Sequence, residues 1–314
     1  MKNQICTILG GGGFIGRYLV RNLTKKNFRC IISTRKPFQK GYLKTQATPG
    51  SIELIEWSFN NLAVIEESIK NSDIVINLIG ILFETRKQKF YNIHSDIPKV
   101  IAQLCSKYKI KKFVHVSAIG ANQNSKSLYQ KSKFKGEDEA KKYFENTVII
   151  RPSVVCGAED NFTNLFSKLS ILPVIPLVNK NYKFQPVLVS DVADSISKAL
   201  ETKDNLGKIY EIGGPKVISF EEMIKVILET INKKRFILEM PMAMAKFQSS
   251  ITDLLPLPPL LTRDQCEILS EADNIVSGNN LTINDLGIKP LDVQEEMKKW
   301  LWRYKDGGQF AKAK

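Results

Sequence analysis

Thr7-Ile8-Leu9-Gly10-Gly11-Gly12-Gly13-Phe14-Ile15-Gly16 is the stretch on which the reading of this chain turns. An apolar run over 5–9 leads into G-x-x-G-x-x-G, and helical spacing follows over 15–25. That order predicts a buried strand, a tight turn and a helix, with the turn's amides and the helix N-terminus aimed at a pyrophosphate. Gly10, Gly13 and Gly16 suit the turn because a side chain would hold phosphates away, and Phe14 and Ile15 open the helix beside it. A glycine pattern alone is weak evidence; its place between the first strand and the first helix makes it strong.

Outward from the turn, short β-rich runs at 29–33, 52–55, 74–78, 113–117 and 148–150 alternate with helical spacing at 62–70, 97–107 and 131–143. Such alternation predicts βαβ units and a parallel sheet, whose strands are apolar on both faces. His115, inside one of these runs, reads as a core histidine rather than a catalyst. A helix over 192–200 and a returning strand over 210–212 follow, and beyond Gly213-Gly214-Pro215 the character changes to a helix over 220–231 and a Met-, Leu- and Pro-rich stretch over 238–261. Leu and Pro alternate over 254–261, predicting an extended, exposed apolar segment. The expected fold is α/β: a Rossmann-type doubly wound parallel sheet with a smaller, mostly helical C-terminal domain. A nucleotide-binding domain spans 1–213, with part of the substrate side inserted near 153–190, and a substrate or partner domain spans 214–314.

Composition bounds the function. The 314 residues are 43% hydrophobic, enough for a full core. A formal charge of +14 favours nucleotides, acidic lipids, nucleic acid or an acidic subunit without choosing among them, and a solvated basic surface is the bland alternative. Nucleic acid is not expected, because no basic patch interleaved with stacking aromatics is visible. Five scattered cysteines without a CxxC pair argue against a disulfide framework or zinc site, and two histidines leave no metal centre. The longest nearly apolar run, 74–83, is too short to span a bilayer, and the N-terminal apolar run lacks a cleavage site. These features predict a cytoplasmic location or its matrix equivalent.

Thr34-Arg35-Lys36 stands at the end of the second predicted strand, where a carboxylate would bind the ribose hydroxyls of NAD. Arg35 can pair with a 2′-phosphate instead, which favours NADP(H) over NAD(H); a solvated loop arginine is the alternative. Tyr129-Gln130-Lys131-Ser132-Lys133 sets a phenol and an ammonium one helical turn apart, and Ser117 ends the preceding strand twelve residues before Tyr129. Tyr-x-x-x-Lys arises easily by chance in a lysine-rich chain. Its conjunction with a strand-end serine and a preceding glycine turn does not.

These residues resemble the short-chain dehydrogenase/reductases of the atypical and extended branch. The resemblance implies that Ser117 orients a substrate carbonyl, that Tyr129 transfers a proton, and that Lys133 binds the nicotinamide ribose while lowering the Tyr129 pKa. It continues through Arg151-Pro152-Ser153-Val154-Val155-Cys156-Gly157 and Asp191-Val192-Ala193. Two positions depart from the pattern: His94 stands where extended members carry Asn, and Trp57-Ser58 where they carry Asp after the third strand. A closer resemblance is to the NAD(P)H-binding accessory subunit of respiratory complex I, the alpha-subcomplex subunit nine family, and its bacterial relatives. It is carried by Phe14-Ile15-Gly16-Arg17-Tyr18, by 77–83, by 115–121, by Glu159-Asp160-Asn161-Phe162, by Phe184-Gln185-Pro186-Val187 and by the tail Trp300-Leu301-Trp302-Arg303-Tyr304. Asn77, Gly80 and Arg151 join the turn, Arg35, Tyr129 and Lys133 as implied nucleotide contacts.

This resemblance implies a tightly held, structural NADPH in a protein docked beside the quinone-reducing module, peripheral on the inner face of the membrane or on the matrix side. The alternative is a stand-alone NADPH-dependent reductase or dehydrogenase, linked to ubiquinone biosynthesis as some relatives are, using Ser117, Tyr129 and Lys133. The apolar stretch from Met240 and the pair Trp300 and Trp302 among Lys298, Lys299 and Arg303 suit a protein or lipid interface; tryptophans buried in the core are the competing reading.

Overall fold

The computed structural model describes residues 4–58, 62–252 and 261–308. The apolar runs of the first half form β1 (Ile5–Leu9), α1 (Phe14–Lys25), β2 (Arg29–Thr34), β3 (Ile52–Glu56), α2 (Leu62–Lys70), β4 (Ile74–Asn77), α3 (Ile97–Lys107), β5 (Lys112–Val116), α4 (Leu128–Tyr143) and β6 (Val148–Pro152). Beyond them come β7 (Val155–Cys156), α5 (Phe162–Leu169), β8 (Val174–Val178), β9 (Lys183–Phe184), β10 (Val187–Leu188), α6 (Val189–Glu201), β11 (Ile209–Ile212), β12 (Ile218–Ser219), α7 (Phe220–Thr230), β13 (Phe236–Met240), α8 (Met242–Thr252), α9 (Arg263–Leu269), β14 (Leu281–Thr282), α10 (Val293–Glu296) and α11 (Lys298–Leu301).

Eight strands pair in the order β14-β11-β6-β5-β4-β1-β2-β3, every pair parallel. The chain winds outward from β1 to β3, then crosses back to place β4 on the other side of β1. That reversal opens a crevice at the carboxyl ends of β1 and β4, the place where open α/β sheets bind ligands. Both faces are covered, as a parallel sheet requires. Cys6, Ile8, Ile32, Val114 and Ile150 pack with Leu19 and Leu23 of α1 and Val192 and Ile196 of α6, while Val75 and Phe113 pack with Ile65, Ile101 and Ala140 of α2, α3 and α4.

A second core lies beside the sheet, where Phe166 of α5, Ile175 and Leu177 of β8, Phe184, and Phe220, Ile224 and Ile227 of α7 meet Trp300 and Leu301. Trp300 is buried there and its indole N–H donates to Thr163 Oγ1 at 3.2 Å, so the core reading holds for it; Trp302 remains partly exposed. Contacts cross residue 213, and the stretch near 153–190 lies on the side of the second core where it was expected. β14 pairs with β11, and Ile283 and Leu286 enter the core of the sheet, while residues 156–188 contribute to the second core.

Several boundaries differ from expectation. Helix α4 starts at Leu128, three residues before the apolar spacing begins, because Ser127 caps it by accepting from the Gln130 N–H. α6 likewise starts at Val189. The Met-, Leu- and Pro-rich stretch from 238 contributes to β13 and forms α8, and the extended segment expected over 254–261 falls, all but residue 261, outside the described residues.

Candidate functional site

The glycine turn closes the carboxyl end of β1. Gly10 takes a φ of +80°, and its N–H donates to Ser33 O at 3.0 Å, tying the turn to β2. A Cβ at Gly10 would stand 3.1 Å from Ile79 N, and one at Gly16 would stand 2.2 Å from Gly11 O, so α1 could not approach the turn so closely with any other residue at Gly16. Gly13 is the N-cap of α1 and supplies no side chain to it, and no acidic residue occupies its first turn. The helix therefore presents free amides and the positive end of its dipole, the arrangement that suits a pyrophosphate.

Across the crevice, the loop after β4 is held by two buried imidazoles. Asn77 is fully buried, its Oδ1 accepts from Ile79 N–H at 3.0 Å and its Nδ2 donates to His115 Nδ1 at 3.1 Å. His94 Nε2 accepts from Ile81 N–H at 3.0 Å. Because the Ser132 hydroxyl donates to Tyr129 O, the His94 Nδ1–H must be the donor in its 2.9 Å contact with Ser132 Oγ. Removal from water, with Lys133 nearby, pushes His94 down to about 2 and His115 down to about 3. Both are neutral brackets. His94, which stands where the resemblance implies an Asn, holds the Ile81 N–H, while Asn77 holds that of Ile79.

Lys133 and Ser117 come together at the end of β5. Lys133 is buried, and its Nζ donates to Val116 O at 3.3 Å and lies 3.3 Å from where a Gly80 Cβ would be. Burial pushes it down to about 8, against the pull of Glu137. Ser117 is buried and its hydroxyl has no hydrogen-bond partner among the described residues. Tyr129 is half-buried, edge-on to His94 and Phe90, with Lys133 Nζ 5.9 Å from its ring centre. Its phenol is pushed up to about 12, first by removal from water and then by Asp264. Both causes raise the phenol, and the lowering by Lys133 that the resemblance implies is not among them.

Asp264 is a contact that sequence reasoning missed. From α9, its Oδ1 accepts from Leu128 N–H at 2.6 Å, and its Oδ2 accepts from Ser127 Oγ at 2.8 Å and from Tyr129 N–H at 3.3 Å. Glu271 accepts from Ser125 Oγ and Lys126 N–H in the same loop. The only signal was the capping pattern Thr262-x-x-Gln265, which marks a helix start but not its target.

Two expected contacts sit differently from the rest. Arg151 is largely buried in an ion pair with Glu137, with Nε and Nη2 at 2.8 and 2.6 Å from its carboxylate oxygens, and Glu211 stands 3.7 Å from Nη1. Its guanidinium supports the sheet rather than facing the crevice with free donors. Arg35 is exposed just past the end of β2, and Lys40 reaches the glycine turn, its Cγ 3.0 Å from where a Gly12 Cβ would be. Trp57, in the position of the family's Asp, is buried under the sheet.

A glycine turn in which a Cβ at Gly16 would clash with the Gly11 backbone, an uncapped helix N-terminus, an unpartnered buried serine hydroxyl and a buried lysine one turn from a tyrosine together fit a nicotinamide dinucleotide. They define a dinucleotide-binding protein on a doubly wound sheet. The NAD dependent epimerase/dehydratase family model matches residues 6–213, and the chain belongs to that family. It is 30% identical over 297 residues to NADH dehydrogenase [ubiquinone] 1 alpha subcomplex subunit 9, mitochondrial, of Mus musculus, covering 94% of this chain and 78% of that one. It is 28% identical over 310 residues to the NADH-ubiquinone oxidoreductase 40 kDa subunit, mitochondrial, of Neurospora crassa, covering 99% and 82%. Among solved structures, a UDP-glucose 4-epimerase from Thermotoga maritima superposes with a TM-score of 0.71 at 16% identity over 95% of this chain and 97% of that one, which speaks for the fold alone.

Proposed function

We propose that this chain holds NADP(H) as a structural ligand and serves as an accessory subunit of a respiratory NADH dehydrogenase, docked on the inner face of the membrane near the quinone-reducing module. What supports the structural role is the setting of Tyr129: its ring lies edge-on to His94 and Phe90, and its phenol is pushed up to about 12, first by removal from water and then by the charge of Asp264, which holds the Tyr129 N–H. The near full-length similarity to two NADH dehydrogenase subunits supports the location. Among the described residues no helix is long and apolar enough to cross a membrane, which accords with a peripheral position.

In this reading the turn Gly10–Gly16 receives the pyrophosphate, Arg35 with Lys40 receives the 2′-phosphate, and Lys133 binds ribose oxygens that replace the weak 3.3 Å bond to Val116 O. Bound NADPH would also carry a transferable hydride. The test is gentle solubilisation of native membranes and separation of complexes by size. Co-migration of this chain with NADH dehydrogenase activity, and recovery of NADPH from the denatured protein, is the expected result; free migration overturns the accessory role.

The unpartnered Ser117 hydroxyl favours a second reading, a stand-alone NADPH-dependent reductase. There Ser117 would orient a carbonyl and Tyr129 would supply the proton. Tyr129→Phe would then abolish turnover while leaving nucleotide binding nearly unchanged, and retained turnover would remove Tyr129 from the mechanism.

A further inference from the structure

β8 and β13 form a two-stranded parallel ribbon that covers the second core with one face only. Ile175 and Leu177 of β8 point inward and are buried. The other face bears Val174 and Pro176 on β8, directly beside Phe236 and Leu238 on β13. All four are exposed, Phe236 by 80% and Leu238 by 61%. Ile171, at the entry to β8, is 79% exposed. α8 follows β13 after one residue and turns Ala245 and Ser249 inward, leaving Phe247 71% exposed. Scattered exposed apolar residues are ordinary, but aromatic and aliphatic side chains placed side by side by strand register are a contiguous patch.

The charge around this patch is one-sided. Segments 168–180 and 233–247, which build it, hold six basic residues, Lys168, Lys180, Lys233, Lys234, Arg235 and Lys246, and a single carboxylate, Glu239. Lys180 pairs with Glu239, Lys233 with Asp306 and Lys246 with Glu267, while Lys168 and Lys234 make no ion pair among the described residues. A ribbon face bearing Phe236 and Leu238, with lysines in the segments that flank it, matches a layer that is apolar below and anionic above. An acidic protein partner would meet the lysines, but the ribbon offers it protruding side chains rather than a groove.

We infer that the outer face of the β8–β13 ribbon inserts into the headgroup region of an anionic lipid bilayer. Phe236 and Leu238 enter the acyl boundary, and Lys168 and Lys234 meet lipid phosphates. The inference rests on the reading above in one respect, that the protein works at a membrane surface, and it supplies the face that reading lacks.

The test is co-sedimentation of the purified full chain with vesicles of phosphatidylcholine alone or with about one-third phosphatidylglycerol, in parallel with NADPH binding. Binding to the anionic vesicles only is expected, with a loss of about tenfold or more in both Phe236→Ser/Leu238→Ser and Lys168→Glu/Lys234→Glu while NADPH affinity is kept. The charge variant leaves the apolar face intact, so a folding defect in the first cannot account for both. No vesicle binding, equal binding to both vesicle types, or binding unaffected by either variant overturns the inference. So does a concentration-dependent dimer abolished by Phe236→Ser/Leu238→Ser, which would assign the face to a second copy. Vesicle binding that persists in a protein that neither binds NADPH nor migrates with NADH dehydrogenase would remove the functional reading and leave this one standing.

Discussion

At the residue scale, the nucleotide turn and the Ser117, Tyr129 and Lys133 positions are legible because each depends on local chain geometry: glycines where a Cβ cannot fit, and i, i+4 spacing on a helix. Arg35 is proposed for the 2′-phosphate through an absence, the missing carboxylate after β2. Arg35→Ser should weaken NADPH binding about ten- to a hundredfold and leave NADH nearly unchanged, since one charge-assisted contact to a 2′-phosphate is removed. Competitive titration of the two nucleotides measures it, and equal losses for both would assign Arg35 to general charge. Lys133 makes a second prediction. Its folded pKa of about 8 lies below its ordinary 10.5, so between those values the unfolded chain binds the extra proton and stability rises with pH. Below pH 8 the cost of burying the charge is fully present. Lys133→Met should therefore be more stable than the parent at pH 7, by about 2–3 kcal/mol, with the gap closing towards pH 10. Urea midpoints at the two pH values decide the matter.

At the element scale, periodicity placed α2 and α3 over 62–70 and 97–107, where they stand, but put the starts of α4 and α6 three residues late. α4 begins where Ser127 and Asp264 satisfy its first amides, and Asp264 reaches them from 135 residues away along the chain. No window of sequence contains that pairing. Asp264→Ala should cost about 1–2 kcal/mol through the lost cap. It should also lower the phenol titration of Tyr129, because the second cause of its raised value is removed. Ultraviolet titration of the variant against the same variant carrying Tyr129→Phe isolates that one phenol; an unchanged value would leave burial as the whole cause. The same limit explains why β8 and β13 went unread: each is short, and each acquires its buried face only when paired with the other.

At the scale of the whole molecule, strand pairing and buried hydrogen bonds cross residue 213. Glu211 accepts from Ser277 N–H at 2.6 Å and Asn280 Nδ2 at 2.9 Å, and Asp191 accepts from Leu291 N–H at 2.8 Å. A chain ending at 213 would strand these buried carboxylates, expose the edge of β11 and lose Ile283 and Leu286 from the core. Such a truncation should fail to give a cooperative thermal transition, whereas the full chain gives one; a folded 1–213 fragment would restore the two-domain division. The sequence by itself determined the order of βαβ units, the glycine turn and the helical spacing of Tyr129 and Lys133, because strand alternation, turn sterics and helical pitch are properties of consecutive residues. Only the tertiary structure decided that Arg151 is tied to Glu137 and Glu211, that His94 is a neutral bracket and that Asp264 sits beside Tyr129. Those outcomes depend on which charges and donors meet after burial, and burial is set by the packing of segments far apart in the chain.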